Sequence, residues 1–384
     1  MKVAVIAFDN FNALKAREIF ISGGVEISTV QILSATDDIG FKRAYETFRD
    51  TADVLITLDG AAFDLKATVA EFSNTTLLEN DNARKTLEER GFTDFSGAAM
   101  PLDATFIPNE NGAYQGFVLE DVDFTFIMLP AAEKEFFPAC EKYVIPYLAA
   151  KVGIEKCVVF KCFGDKSDAE DLLNAVKEKF SFDFIVRDNL GDLTVSVFFK
   201  GENEAEYRFA VREIFTAIKD ICYADYNVSL SETLFTLLRL GGKKIAVAES
   251  FTGGRVATEI IKNAGASAYL NESVVAYSNE SKAERLKVPR EELSEFGAVS
   301  AKVAYRMAAG LFKTGAPDVA VATTGLAGPD GDGTGTPVGR CFIAVGTKSG
   351  IHTYKFDFKG SREEITEKGV NAALFCAVKT IKNM

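Results

Sequence analysis

Hydrophobic and polar positions alternate along the chain as short apolar runs separated by amphipathic stretches, the rhythm of a mostly parallel sheet wrapped by helices. In the first 150 residues, runs at 3–7, 25–33 and 53–58 predict strands, and stretches at 13–23 and 39–49 predict helices. The apolar segment 118–130, with Phe124-Thr-Phe-Ile-Met-Leu129 inside it, predicts another strand, and 136–148 a closing helix. From about residue 153 the order becomes strand (156–163), helix (167–180), two strands (182–187 and 193–199) and helix (204–218). Ser167 reads as an N-cap there, with Leu172, Leu173 and Val176 on the apolar face. A helix at 229–240 opens the last region. The run starting at Lys244 is a strand ending in Glu249 and Ser250, which passes two glycines into a helix carrying Val256, Ile260 and Ile261 on one side. Strands follow at 273–277, 318–322, 340–347 and 353–358, and the capping-box spacing of Ser361 and Glu364 starts a final helix to 383. The pattern divides the chain at 1–150, 151–227 and 228–384.

A chain of 384 residues exceeds one comfortable core, in keeping with that division. Its 47% hydrophobic and 26% charged residues are those of an ordinary globular protein. A net charge of −12 argues against general polyanion binding, so no nucleic-acid partner is expected, while a local phosphate pocket is left open. The six cysteines are scattered without a Cys-x-x-Cys pair, the usage of reduced thiols in a cytoplasmic protein. The apolar run at the amino terminus is too short for a signal peptide, and no stretch reaches membrane-spanning length, so no membrane partner is expected. The single histidine, His352, lies in a strand-like alternation with no carboxylate beside it and reads as structural. Serine–histidine–aspartate chemistry is therefore set aside, and a hydroxyl nucleophile needs another base.

Ser250 sits where a strand hands over to a helix, a place where N–H groups favour developing negative charge. The same Ser-x-Thr-Gly-Gly sequence also serves as a plain turn with a hydroxyl cap, and the residues alone leave both readings open. Tyr277 is expected at the end of the next strand, and Lys282 in the first turn of a helix capped by Asn279. A partly buried lysine loses its proton near neutral pH because desolvation disfavours the ammonium, and it can then act as base for a serine. A solvated surface lysine is the competing reading of Lys282. The glycine-rich stretch 323–335 lets backbone N–H groups close on a ligand, and Arg362 at a helix start suits a phosphate or carboxylate. In the first region, Asp9, Asp59 and Asp64 lie at strand ends without a fixed spacing and read as solvated carboxylates rather than a metal site. The middle module has a KH or ferredoxin-like order but no Gly-x-x-Gly clamp, so it reads as a spacer.

Six stretches occur in order: Ala248-Glu-Ser-Phe-Thr-Gly-Gly254, Tyr277-Ser-Asn-Glu-Ser-Lys282, Gly297-Ala-Val-Ser300, Gly325-Leu-Ala-Gly-Pro-Asp-Gly331, Pro337-Val-Gly339 and Gly360-Ser-Arg362. Together they resemble the carboxyl-terminal domain of CinA-type competence/damage-inducible proteins, which are nicotinamide mononucleotide (NMN) deamidases. The resemblance implies an α/β multidomain chain: a molybdopterin-binding-like first domain, a small KH/ferredoxin-like α+β module, and an α/β CinA deamidase domain. It implies hydrolysis of the NMN carboxamide without a cofactor or metal, and a homodimer. Ser250 and Lys282 match the family's catalytic pair, with Tyr277 as relay or orienter of the lysine. Thr252 and Gly253 would hold the oxyanion, and Gly325, Ala327, Gly328 and Arg362 the ribose phosphate. Phe251 stands where the family usually has cysteine. In the first domain the family's glycine-rich motifs and paired aspartates are replaced at Phe8-Asp9-Asn10, Asp59–Asp64 and Leu129-Pro-Ala-Ala-Glu133, which implies a remnant without its pyrophosphatase activity.

Overall fold

In the computed structural model the chain begins with β1 (Val3–Ala7), α1 (Asn10–Ser22), β2 (Ile27–Ile32), α2 (Asp38–Thr51) and β3 (Val54–Asp59). It continues through α3 (Leu65–Phe72), β4 (Leu77–Glu79), α4 (Asp81–Glu89), β5 (Ala99–Pro101) and β6 (Thr105–Ile107). Then come β7 (Gly116–Glu120), β8 (Thr125–Pro130), α5 (Glu133–Ala139) and α6 (Ile145–Lys151). The structure describes every residue from 1 to 384 except Gly60, Val152, Glu155, Glu202, Gly315, Ala316, Asp332 and Met384. Among the described residues, no helix is long and apolar enough to cross a membrane.

The large sheet of this first unit has the order β2-β1-β3-β8-β7-β6, with β2, β1, β3 and β8 parallel. Successive β1 residues bury on opposite sides: Val3, Val5 and Ala7 on the α1 side, Ala4 and Ile6 on the α2 side. Two expectations change here. The run 118–130 is not one strand but the antiparallel pair β7–β8, with Asp121 N–H bonding Phe124 O at 2.8 Å in the turn. High apolar content hid that turn; exposed Val122 between two aspartates marks it. The closing helix is broken by a π-turn at Cys140–Val144, next to Pro146, which has no N–H to donate.

The chain divides into two units, 1–157 with 181–185 and 196–203, and the remainder from 158 onward. The middle stretch supplies β9 (Lys156–Phe163), α7 (Lys166–Lys177), β10 (Asp183–Asn189), β11 (Asp192–Phe199), α8 (Glu204–Ile218) and β12 (Cys222–Ala224), in a sheet ordered β10-β11-β9-β12. The N-cap of α7 is Asp165, not Ser167; the carboxylate outcompetes the hydroxyl and accepts from the Ser167 N–H and Oγ–H at 2.9 and 2.7 Å. After it come α9 (Leu230–Gly241), β13 (Ile245–Glu249), α10 (Arg255–Ile261) and β14 (Leu270–Val275). Next are α11 (Asn279–Leu286), α12 (Arg290–Phe296), α13 (Ala301–Thr314) and β15 (Val319–Gly325). Strands β16 (Arg340–Thr347) and β17 (Gly350–Asp357) and helix α14 (Arg362–Lys382) complete the fold.

The five-stranded sheet runs β14-β13-β15-β16-β17, with β13 parallel to both neighbours. Ile245, Val247, Val319, Val321, Ile343 and Val345 face α9, α10 and α14. On the opposite face the fully buried strand residues are alanines, Ala246, Ala248, Ala320, Ala322 and Ala344, under α11–α13, with Val274, Phe342 and Ile351 packed beside them. Methyl-only positions let those helices lie close to the sheet, and α13 in turn meets α11 tightly. A Cβ added at Gly310 would come within 2.2 Å of Leu286 O.

Candidate active site

Strand β13 has β14 on one side and β15 on the other, so the chain reverses its winding at the carboxyl end of β13. Ligands of such sheets collect in the crevice that this reversal opens. Ser250 is the first residue beyond β13, buried, with its N–H bonded to Thr323 O of β15 at 3.0 Å. The pleat points Ser250 to the same side as Ala246 and Ala248, toward α11.

Lys282 comes from the first turn of α11 and is only 1% exposed. Its Nζ lies 3.1 Å from Ser250 Oγ and donates to Ala276 O and Tyr277 O at 3.0 and 3.2 Å. Burial pushes the ammonium down to about 8. Two carbonyls and one hydroxyl take the three N–H groups of the ammonium, and once the amine is neutral its lone pair can face the Ser250 hydroxyl. The surface-lysine alternative is excluded. Helix α11 is capped by Ser278, whose Oγ accepts from Ser281 N–H at 3.1 Å, and not by Asn279. The strand before it ends at Val275, two residues earlier than its apolar pattern suggests. Ala276 N–H still bonds across to Glu249 O at 2.8 Å, but its carbonyl and that of Tyr277 go to Lys282 and not to a neighbouring strand.

Glu249 is the residue that the sequence reading passed over. It is fully buried, and its carboxylate accepts from the N–H groups of Gly254, Val256 and Ala257 at 2.9, 3.1 and 3.0 Å. The start of α10 is therefore filled by a side chain and is not open to a substrate anion, contrary to the expectation for this turn. The signal was a carboxylate closing a strand whose five residues are all buried, followed by a helix whose first residue follows a glycine without a capping hydroxyl. On the same turn Gly253 N–H bonds Ser250 O at 3.1 Å and Thr252 Oγ1 bonds Thr323 Oγ1 at 2.7 Å. Among the described residues, no hydrogen bond is found for the N–H groups of Phe251 and Thr252.

The remaining residues form the rim. Arg362 opens α14, donates to Gly328 O, and bonds the Tyr277 hydroxyl at 3.0 Å. Three separated motifs thus meet through one guanidinium. The Tyr277 side chain is exposed, and its hydroxyl goes to Arg362 while only its carbonyl reaches Lys282. The glycine loop divides: Ala327 is buried with Phe251, Cys341 and Ile365. A Cβ at Gly325 would meet Cys341 and Phe251, so packing requires that glycine; Gly328 instead needs its φ of +79°. Asp332 of this loop lies outside the described residues. Thr324 Oγ1 holds the 297–300 stretch by bonding Ala298 O at 2.7 Å.

The carboxyl edge of the first unit's sheet is built differently. Phe8, Phe41 and Phe63 pack there with ring centroids 5.8–6.4 Å apart. Asp9 accepts from Asn12 at 2.7 Å and Asp64 caps α3 through Ala67 N–H at 3.0 Å. Lys66 is buried, bonds Gly97 O at 2.9 Å, and is pushed down to about 8 by burial while Asp59 and Asp64 oppose the shift. Burial raises the Asp59 carboxyl above its usual range. Gly60, between them, lies outside the described residues.

The profile of the CinA C-terminal domain matches residues 227–381, the stretch that carries Ser250, Lys282 and Arg362. A competence-damage inducible protein of Caldicellulosiruptor saccharolyticus is 32% identical over 371 residues, covering 91% of this chain and 88% of that protein. The chain belongs to the CinA family. A CinA-like protein of Dictyoglomus turgidum is 31% identical, with 84% of each chain covered. Among solved structures, a competence/damage inducible protein from Agrobacterium tumefaciens is 33% identical across 40% of this chain and 93% of its own, with a TM-score of 0.38. In this CinA-family chain Phe251 is accommodated by two glycines. A Cβ at Gly369 would lie 2.4 Å from its ring, and one at Gly325 3.0 Å.

Proposed function

We propose that the chain hydrolyses the carboxamide of NMN to nicotinic acid mononucleotide and ammonia, with Ser250 as nucleophile and Lys282 as its base. The observation that carries this reading is the buried amine of Lys282, pushed down to about 8, at 3.1 Å from Ser250 Oγ. Neutral Lys282 takes the Ser250 proton as Oγ attacks the amide carbon, then returns it to the departing nitrogen, which leaves as ammonia. Water, deprotonated by the same amine, cleaves the acyl–serine ester. With the α10 terminus taken by Glu249, the Phe251 and Thr252 N–H groups are the oxyanion donors on this turn, in place of Gly253. Arg362, with Gly328 and Tyr277, grips the ribose phosphate; Tyr277 relays a proton only after its hydroxyl leaves Arg362. The pair supplies both nucleophile and base, so this deamidase reading calls on no cofactor. Ser250→Ala is expected to abolish ammonia release from NMN, and undiminished turnover by that variant overturns the assignment.

The same reading takes residues 1–150 as molybdopterin-binding-like, 151–227 as a KH-like module and 228–384 as the amidohydrolase domain. Phe8 and Phe63, packed on Phe41 at the first sheet's carboxyl edge, support loss of pyrophosphatase activity, since ligands of such sheets bind at that edge and bulky rings narrow it. Metal-dependent cleavage of ADP-ribose by the full chain overturns that part.

A further inference from the structure

The six cysteines look scattered in sequence, yet the fold pairs two of them. Strands β9 and β12 run antiparallel with Cys162 opposite Cys222. The neighbouring Phe163 N–H bonds Ile221 O at 2.8 Å, which makes Cys162 and Cys222 the adjacent non-hydrogen-bonded pair. In a regular ladder such facing Cα atoms lie roughly 4.5 Å apart with both side chains on one face; here the register shifts just past the pair, between Cys222 and Ala224. A disulfide spans Cα separations of roughly 4.4–6.8 Å, a range that takes in that spacing.

The two thiols are also chemically unequal. Cys162 is buried, whereas Cys222 is half-buried and has its sulfur 3.2 Å from Ala224 O. The neighbouring thiol and burial push Cys162 above its ordinary value. Cys222 is thus the more accessible sulfur, and Cys162 the protected sulfur beside it. That division of labour is the one a reversible thiol pair needs. Elsewhere Cys140, Cys341 and Cys376 are buried, and Cys157 is exposed with no cysteine opposite it in the strand register.

We propose that Cys162 and Cys222 form a reversible cross-strand disulfide on exposure to peroxide, with Cys222 as the sulfur oxidised first. The Cys222 thiolate attacks one peroxide oxygen; the O–O bond breaks, giving the sulfenic acid and hydroxide. The Cys162 sulfur then attacks the Cys222 sulfur, the S–S bond forms as the S–O bond breaks, and the hydroxyl leaves with the thiol proton as water. In sum, two thiols lose two hydrogens and one hydrogen peroxide becomes two waters. A dithiol reverses the change by exchange.

The test treats the full chain with dilute hydrogen peroxide, then denatures, alkylates, digests and analyses it by mass spectrometry. The expected product is one linked peptide pair joining Cys162 and Cys222, lighter by two hydrogens, removed by dithiothreitol. It is expected to persist in Cys157→Ser and to vanish in Cys222→Ser. On the unmutated chain, dimedone present during oxidation is expected to label Cys222 and suppress the link. Cys162 and Cys222 both still alkylated after oxidation without dimedone, dimedone label on Cys162 in place of Cys222, or a link between other cysteines overturns the proposal.

Discussion

Both units place a sheet with the same reversal of winding at one strand: β1 stands between β2 and β3, and β13 between β14 and β15. Each buries one lysine near that carboxyl edge, and in each burial pushes the amine down to about 8. The desolvation is alike; the neighbours are not. Lys66 faces Asp59 and Asp64 and is anchored to a carbonyl, beside three phenylalanine rings. Lys282 has no carboxylate among the causes of its shift and touches a serine hydroxyl instead. A displaced lysine pKa is therefore not in itself a catalytic signature. What separates the two edges is whether a nucleophile stands within reach of the amine.

The largest effect should come from removing the two lysines in turn. Lys282→Met is expected to lower kcat/KM for NMN by about 10²–10⁴-fold, the range for a general base. Lys66→Met is expected to leave ammonia release unchanged. Equal losses in both variants would erase the contrast. Next is pH. If neutral Lys282 is the reactive form, kcat/KM rises about tenfold per pH unit below 8 and levels off above it, which steady-state rates between pH 6 and 9.5 read directly. Stability follows the same proton. Between about 8 and 10.5 the unfolded chain still holds it and the folded chain does not, so stability climbs as pH rises through that window and is lowest below it. The smallest effect is at Glu249. Replacing it by alanine strands three N–H groups and should cost about 2–3 kcal/mol, seen as a lower urea midpoint. Glu249→Gln, which keeps one acceptor oxygen, should recover part of it.

Local signals carried much of this from the sequence alone. The capping box of Ser361 and Glu364 starts α14 where its spacing places it, and α8 and β16 fall on their patterned ranges. These depend on residues two to four apart. The rest depends on distance in the chain. Lys282 reaches Ser250, 32 residues away in the chain, only because α11 folds back beside the end of β13, and nothing near Lys282 in sequence says so. Glu249 finds its partners five to eight residues on, after a turn whose path the pattern does not determine. Cys162 and Cys222 meet through a register that only strand pairing sets. Phe251 looked like a departure, and its compensation sits at Gly369 on another helix.

The alanine face has a consequence for how this protein can be dissected and how it can vary. Ala246, Ala248, Ala320, Ala322 and Ala344 make a shim one methyl group thick, and the height at which α11 rides follows from it. An alanine scan is blind to such positions, since it would replace each by itself and record nothing. Yet a single Ala248→Val adds two carbons to the shim directly before the Ser250 turn, and the amine-to-hydroxyl gap is where the added thickness would show. In this chain the smallest side chains in the sheet set the tightest tolerance.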